Sequence, residues 1–260
     1  MVNYLLIFVY LLVTPFLFAR ANLQVFPLRA DLSQRERTTS LTVRNQGTKS
    51  TTYQISSVFY QQDYDGQMSV NHSPPKAARS VQEHLRFSPR RVTLAPGESQ
   101  VVRLMIRPGA DMDEGHYRAH VRFEPIDNAP DNAPNLVMRM QLEAKIAVNI
   151  PVIYRHGQTE GTVSLDKFAI QKSEDQGLSF SVVMKKSGNI FATGVFKIFH
   201  ESDMKKAISV VRGVSSYIDE RRFIFPLEDS PLVKGRHILK FLADEFDESS
   251  VAEVEFEWKG

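Results

Sequence analysis

Hydrophobic and polar positions alternate with a period of two through most of this chain. The longest such run is Val137 to Val152, VMRMQLEAKIAVNIPV. Met138, Met140, Leu142, Ala144, Ile146, Val148, Ile150 and Val152 form one row, and Arg139, Gln141, Glu143, Lys145 and Asn149 form the other. Successive side chains of a strand point to opposite faces, so the pattern predicts one long strand. At ~3.3 Å per residue such a run extends about 50 Å, whereas ordinary strands hold about five or six residues. It outgrows the core of one small β-domain. Either it is a long core strand at a domain boundary, or its surplus apolar row is a platform for pairing with another chain.

The remaining elements follow in order. Leu23–Leu32 alternates imperfectly and carries Pro27, which suggests an edge or a bulge. Ser40–Arg44 is a short strand closed by the turn signal Asn45-Gln46-Gly47. Thr51–Tyr60 is rich in β-branched and aromatic residues and ends at Asp63-Tyr64-Asp65-Gly66. Arg91–Leu94 and Gln100–Ile106 flank a tight turn at Ala95-Pro96-Gly97-Glu98, and His116–Phe123 is a further strand. Asp127–Asn135 repeats Asp-Asn-Ala-Pro and reads as an exposed loop. Seven strand candidates with turns between them predict an Ig-like sandwich for residues 22–155. Beyond the linker at Arg155-His156-Gly157-Gln158, strands are expected at Gly161–Asp166, Leu178–Met184, Ala192–Phe199, Ala207–Arg212, Arg222–Pro226, His237–Leu242 and Val251–Trp258. These predict a second, smaller β-domain over residues 156–260. Helix signals are weak throughout, so the expected class is all-β.

The opening residues differ. Tyr4–Ala19 is almost wholly apolar but shorter than the ~20 residues a spanning helix needs. Ala19-Arg20-Ala21 follows, a small-x-small site of the kind signal peptidase reads. Residues 1–21 are therefore read as a cleaved secretory signal, with an uncleaved anchor as the alternative. The chain has 260 residues, 42% hydrophobic and 24% charged, which is ordinary globular composition for two domains. A net charge of +2 with no basic run argues against a nucleic-acid partner. The absence of cysteine leaves core packing to hold the domains and excludes thiol nucleophiles and thiolate metal sites.

Ser88 to Leu104, SPRRVTLAPGESQVVRL, resembles the most recognisable stretch of the periplasmic pilus-assembly chaperones, the PapD-like family of the chaperone–usher pathway. Gly115-His116-Tyr117-Arg118 with Phe123-Glu124-Pro125 is similar to that family's following strand, and Ile153-Tyr154-Arg155 to its domain-ending motif. The resemblance covers most of Leu23–Arg155 and is loose beyond it. It implies two Ig-like β-sandwiches set at an angle with a cleft between them, in the periplasm. The implied activity is donor-strand complementation. The chaperone lends its long strand to a pilus or fimbrial subunit that lacks one, then delivers the subunit to an outer-membrane usher. The implied donor residues are Met138, Met140, Leu142, Ala144 and Ile146. Arg29 falls at the family's anchor for the subunit's C-terminal carboxylate, while Pro151 stands where the family has a lysine. Glu124, Arg155 and Asp244 fall at its interdomain latch. Self-association through the lent strand is a further expectation. No cofactor is implied.

Enzyme chemistry finds little support. His116 and His120 lie four apart in a strand pattern, ~13 Å between side chains, and read as surface residues and not as a metal pair. Asp111-x-Asp113-Glu114 lacks the rest of a calcium loop, and no phosphate-binding, nucleophile-elbow or zinc-protease motif is present. A secreted Ig-like binding or adhesin module remains the alternative class.

If residues 1–21 are a cleaved signal, the mature protein begins at Asn22. Intact-mass measurement of the secreted protein checks this, and retention of Met1 would contradict it.

Overall fold

The computed structural model describes residues 22–126, 145–173, 177–227, 232–243 and 251–260. The strands of the first half are β1 (Leu23–Phe26), β2 (Ala30–Ser33), β3 (Thr38–Asn45), β4 (Thr51–Val58), β5 (Tyr60–Gln62), β6 (Met68–Val70), β7 (Leu85–Ser88), β8 (Arg91–Leu94), β9 (Ser99–Ile106), β10 (Gly115–Ile126) and β11 (Val148–His156). Two sheets, ordered β1-β3-β9-β7 and β2-β11-β10-β4-β8, face each other. Between them lies a core that includes Leu41, Val43, Val102 and Leu104 from one sheet and Ile55, Val121, Phe123 and Val152 from the other.

Pro27 acts as more than an edge marker. It separates β1, antiparallel to β3 in one sheet, from β2, parallel to β11 in the other. Proline cannot donate to a ladder, so the chain changes sheets there. The expected strand over Thr51–Tyr60 also divides. Phe59 is buried between β4 and β5, and Asp63–Gly66 is the turn of a separate β5–β6 hairpin. Of the long expected strand, residues 145–152 are described: 145–147 are not in a strand, and β11 starts at Val148 and runs on to His156. Residues 127–144 lie outside the described set.

The second half contains β12 (Val163–Ser173), β13 (Gly177–Lys186), β14 (Ala192–His200), β15 (Ser209–Ser216), β16 (Glu220–Pro226), β17 (Gly235–Leu242) and β18 (Ala252–Trp258). They form sheets β12-β13-β16 and β15-β14-β17-β18 around an aromatic core. Phe196 stands at its centre, edge-on to Phe180, Phe223 and Phe241. The molecule is all-β, two sandwiches in sequence, and the helical segments among the described residues are short 3-10 turns at Lys76–Ala78 and Gln82–His84.

Asn45 shows how a turn signal becomes a clasp. Its fully buried amide donates to the carbonyls of Lys49 at 2.8 Å and Leu94 at 2.9 Å, and its oxygen accepts from Gly47 N–H at 2.8 Å. The side chain thus ties the β3–β4 turn to β8. Asn45→Ala removes three hydrogen bonds, the one to Leu94 buried and the other two part-buried, at a typical ~1 kcal/mol each. A loss of about 3 kcal/mol in urea unfolding is expected.

Candidate functional site

The site of interest is the outer face of the sheet that contains β10 and β11. Tyr117, Ala119, Val121 and Phe123 point into the core, each opposite a core-facing residue of β11: Tyr154, Val152, Ile150 and Val148. The other row of β10, His116, Arg118, His120 and Arg122, therefore faces outward. That row is not solvated as a whole. Arg118 is 2% exposed and His120 is buried, in contrast to the surface position expected for the histidines. The reason is tertiary: the β5–β6 hairpin and the second sandwich cover this face.

Arg118 is a buried cation with no carboxylate partner among the described residues. Its Nη2 donates to the Tyr60 carbonyl at 2.6 Å, and Nη1 reaches Met68 Sδ at 3.8 Å. Its guanidinium lies 3.8 Å from the centre of the Tyr217 ring and 5.0 Å from that of Phe59. Two aromatic faces replace the counter-charge. Burial nevertheless pulls its pKa down to about 10.

His116 marks the contact nearest the connection between the sandwiches. Its Nδ1 accepts from Phe191 N–H at 3.0 Å, which requires that nitrogen to be unprotonated. Its backbone N–H donates to the Asn189 carbonyl at 2.8 Å. Burial, then the charges of Arg155, Arg29 and Arg79 against the opposing charge of Asp31, lowers its pKa to about 4. His120 packs edge-on to Tyr60 with ring centres 4.9 Å apart. Burial, then Arg118, lowers its pKa to about 3.

Arg29 precedes β2, and both Nε at 3.0 Å and Nη2 at 2.7 Å donate to Asp31 Oδ1. The pair is about two-fifths exposed. Arg155 is exposed on β11, opposite Ser33 of β2 and His116 of β10. Arg29 and Arg155 are thus brought to one neighbourhood around His116. Glu124 is not. It lies eight residues along β10 from His116, about 26 Å at ~3.3 Å per residue, and pairs with Arg122 at 3.1 Å. Asp244, Met138, Met140, Leu142 and Ala144 lie outside the described residues. Ile146 is described. It stands before the start of β11 and is 39% exposed.

The edge of β11 is uneven. β2 covers it only from Val152 to Arg155, so among the described residues no strand pairs with that side of Val148–Pro151. Extending the β2–β11 register by one residue places Arg29 beside Pro151, where the open edge begins. No group of three or more His, Asp or Glu side chains among the described residues could hold a metal ion.

A model of the Fn3-like domain family matches residues 30–137. No curated protein matches the chain. Among solved structures, the chain is similar to one from the Salmonella enterica SafA pilin–SafB chaperone complex, with 12% identity, a TM-score of 0.49, and 93% of this chain and 98% of that one covered. For the Acinetobacter baumannii CsuC–CsuE chaperone–tip subunit pre-assembly complex the figures are 13%, 0.47, 91% and 98%. For the E. coli chaperone DraB they are 13%, 0.43, 91% and 96%.

The two histidines give the fold a pH dependence of known sign. Both folded pKa values lie below the ordinary 6.5. Above that value neither state binds the proton and their contribution is fully present. As pH falls below it, the unfolded chain takes up protons that the folded chain excludes, so stability is lost down to about pH 4 for His116 and about 3 for His120. The drop in melting temperature between about pH 7 and about pH 5 is expected to shrink in the His116→Gln/His120→Gln variant. Parallel curves for the two proteins would contradict it.

Proposed function

We propose that this chain is a periplasmic chaperone that holds pilus or fimbrial subunits by lending them a strand, and passes them to an outer-membrane usher. The role is binding and requires no catalysis. One observation carries the reading: an apolar row leaves its own core. Val148, Ile150, Val152 and Tyr154 belong to the first sandwich's core or pack against it, whereas Ile146, two residues upstream in the same parity, is exposed. Continued upstream, that parity runs through Ala144, Leu142, Met140 and Met138. The open edge of Val148–Pro151 supports the same reading, because a borrowed strand needs unpaired backbone as well as apolar side chains.

A subunit that lacks a strand exposes a groove of pockets and unpaired N–H and C=O groups. Backbone pairing supplies affinity and the alternate side chains fill the pockets. Four or five buried apolar side chains at ~1.5–3 kcal/mol each contribute on the order of 10 kcal/mol before ordering costs. Methionines at Met138 and Met140 suit a strand that meets several grooves, because the thioether chain adapts its shape. Arg29 sits at the base of that strand and its fork suits a chain-terminal carboxylate. In the free protein Asp31 occupies that fork. An incoming carboxylate must compete with Asp31 or share the arginine.

Co-purification with candidate subunits from the periplasm tests the proposal. Leu142→Asp and Ile146→Asp are expected to abolish the complex, because a carboxylate in an apolar pocket costs several kcal/mol. Gln141→Ala and Glu143→Ala are expected to leave it intact. Arg29→Ala should weaken the complex by about 2–5 kcal/mol if the bound carboxylate is left buried and unpaired. Melting of the free Ile146→Asp protein should match the parent. Equal loss from both rows, or unfolding of the free variant, would falsify strand lending.

A further inference from the structure

We infer that the β5–β6 hairpin is a strap that fixes the second sandwich against the first and ties that orientation to β11. The hairpin is a two-stranded sheet of its own, joined to no other strand among the described residues. Such a ribbon is marginally stable alone, so its order depends on what it touches. It touches both sandwiches.

At its tip the contacts reach the second sandwich. Gln62 is buried, and its Oε1 accepts from Tyr217 N–H at 2.8 Å while Nε2 donates to the Ser215 carbonyl at 3.4 Å. The Tyr64 carbonyl accepts from Arg222 N–H at 2.8 Å. The Arg222 guanidinium meets Asp65 Oδ1 through Nε at 2.8 Å and Nη2 at 2.7 Å. Gly66, at φ +83°, adopts a conformation that favours glycine and lies against the Arg221 guanidinium.

At its base the contacts stay in the first sandwich. The Tyr60 carbonyl accepts from Arg118, and the Tyr60 hydroxyl donates to Asn149 Oδ1 at 3.0 Å. Asn149 lies on the part of β11 that has an open edge. One short ribbon therefore bridges Ser215–Arg222 of the second sandwich to the beginning of β11.

Geometry explains why a strap is needed. Among the described residues the sandwiches also meet at Glu114–His116 and Asn189–Phe191, where β10 lies opposite the last residues of β11. A contact beside the connection leaves rotation about it free. A second attachment farther along β10, through Arg118, Tyr217 and the hairpin, removes that freedom. On the strand-lending reading, the strap holds the second sandwich at a fixed position relative to the strand's base. The strap itself does not depend on that reading.

Because the chain has no cysteine, Thr42→Cys and Glu257→Cys, both at exposed positions, allow a nitroxide pair to be placed with one label in each sandwich. With the strap intact, electron–electron double resonance should give one narrow distance peak. Gln62→Ala/Asp65→Ala should lose that peak in favour of a broad distribution. Arg222→Glu, at an exposed position facing Asp65, should do the same without touching a buried group, so the test survives if the first variant folds poorly. Circular dichroism spectra like the parent's establish that the sandwiches remain folded. A narrow peak retained in folded Arg222→Glu and in the folded double variant overturns the strap. Loss of subunit binding is not part of this readout, so failure of the strap and failure of strand lending remain distinguishable.

Discussion

Strand β10 has to serve two interiors at once, and most of the molecule follows from that demand. Its odd-numbered residues from Tyr117 to Phe123 build the centre of the first core. Its even-numbered residues from His116 to His120 are covered from the other side. A strand with an apolar row and a solvated row needs only one packing partner. This one carries a guanidinium and two imidazoles into a region with little water. The desolvation of such groups is expensive. It is offset by the Tyr217 and Phe59 rings, by the Tyr60 carbonyl and by keeping both histidines neutral. Tyr60 belongs to the hairpin and Tyr217 to the second sandwich, so polar burial on β10 helps to set the position of both.

Much of the fold was legible in the sequence, because alternation and turn chemistry are local. Ala192–Phe199 was expected as a strand and β14 is Ala192–His200; Arg222–Pro226 was expected and β16 is Glu220–Pro226. The β5–β6 hairpin was not legible. Met68, Ser69 and Val70 are all exposed, and Tyr60-Gln61-Gln62 has no apolar alternation. Its order comes from contacts 58 to 157 residues away, which no local signal encodes. The histidines illustrate a narrower limit. Their spacing in a strand was legible, but a local pattern cannot say what covers the face on which His116 and His120 stand. Glu124 shows the opposite failure: a resemblance supplied a role for the position, and the register put it far from Arg155.

The change in environment along the apolar row is the sharpest feature of β11. From Val148 onward each even residue meets β10 on one side and the facing sheet below, and the strand is secured. Before Val148 neither support is seen among the described residues, and Ile146 keeps the chemistry of a core residue without a core. An apolar row that ends where its sheet ends needs no further explanation. Ile146 is of that row, stands before β11 and is 39% exposed; on the strand-lending proposal another chain supplies the walls it lacks.

The placement of the strap beside that transition then has a mechanical meaning. Tyr60 reaches across β10 to Asn149, one residue after the row enters the core, and the same ribbon holds Ser215, Tyr217 and Arg222. On the strand-lending proposal, a strand offered to a partner must be firmly rooted at one end, or the partner's binding energy is spent on ordering the root as well as the tip. Here the root is held from three directions: by the ladder with β10, by β2 from Val152 onward, and by the tyrosine hydroxyl from outside the sheet. The last of these is the one that also senses where the second sandwich lies. Orientation of the two sandwiches and rigidity of the strand's base are thus set by one set of contacts.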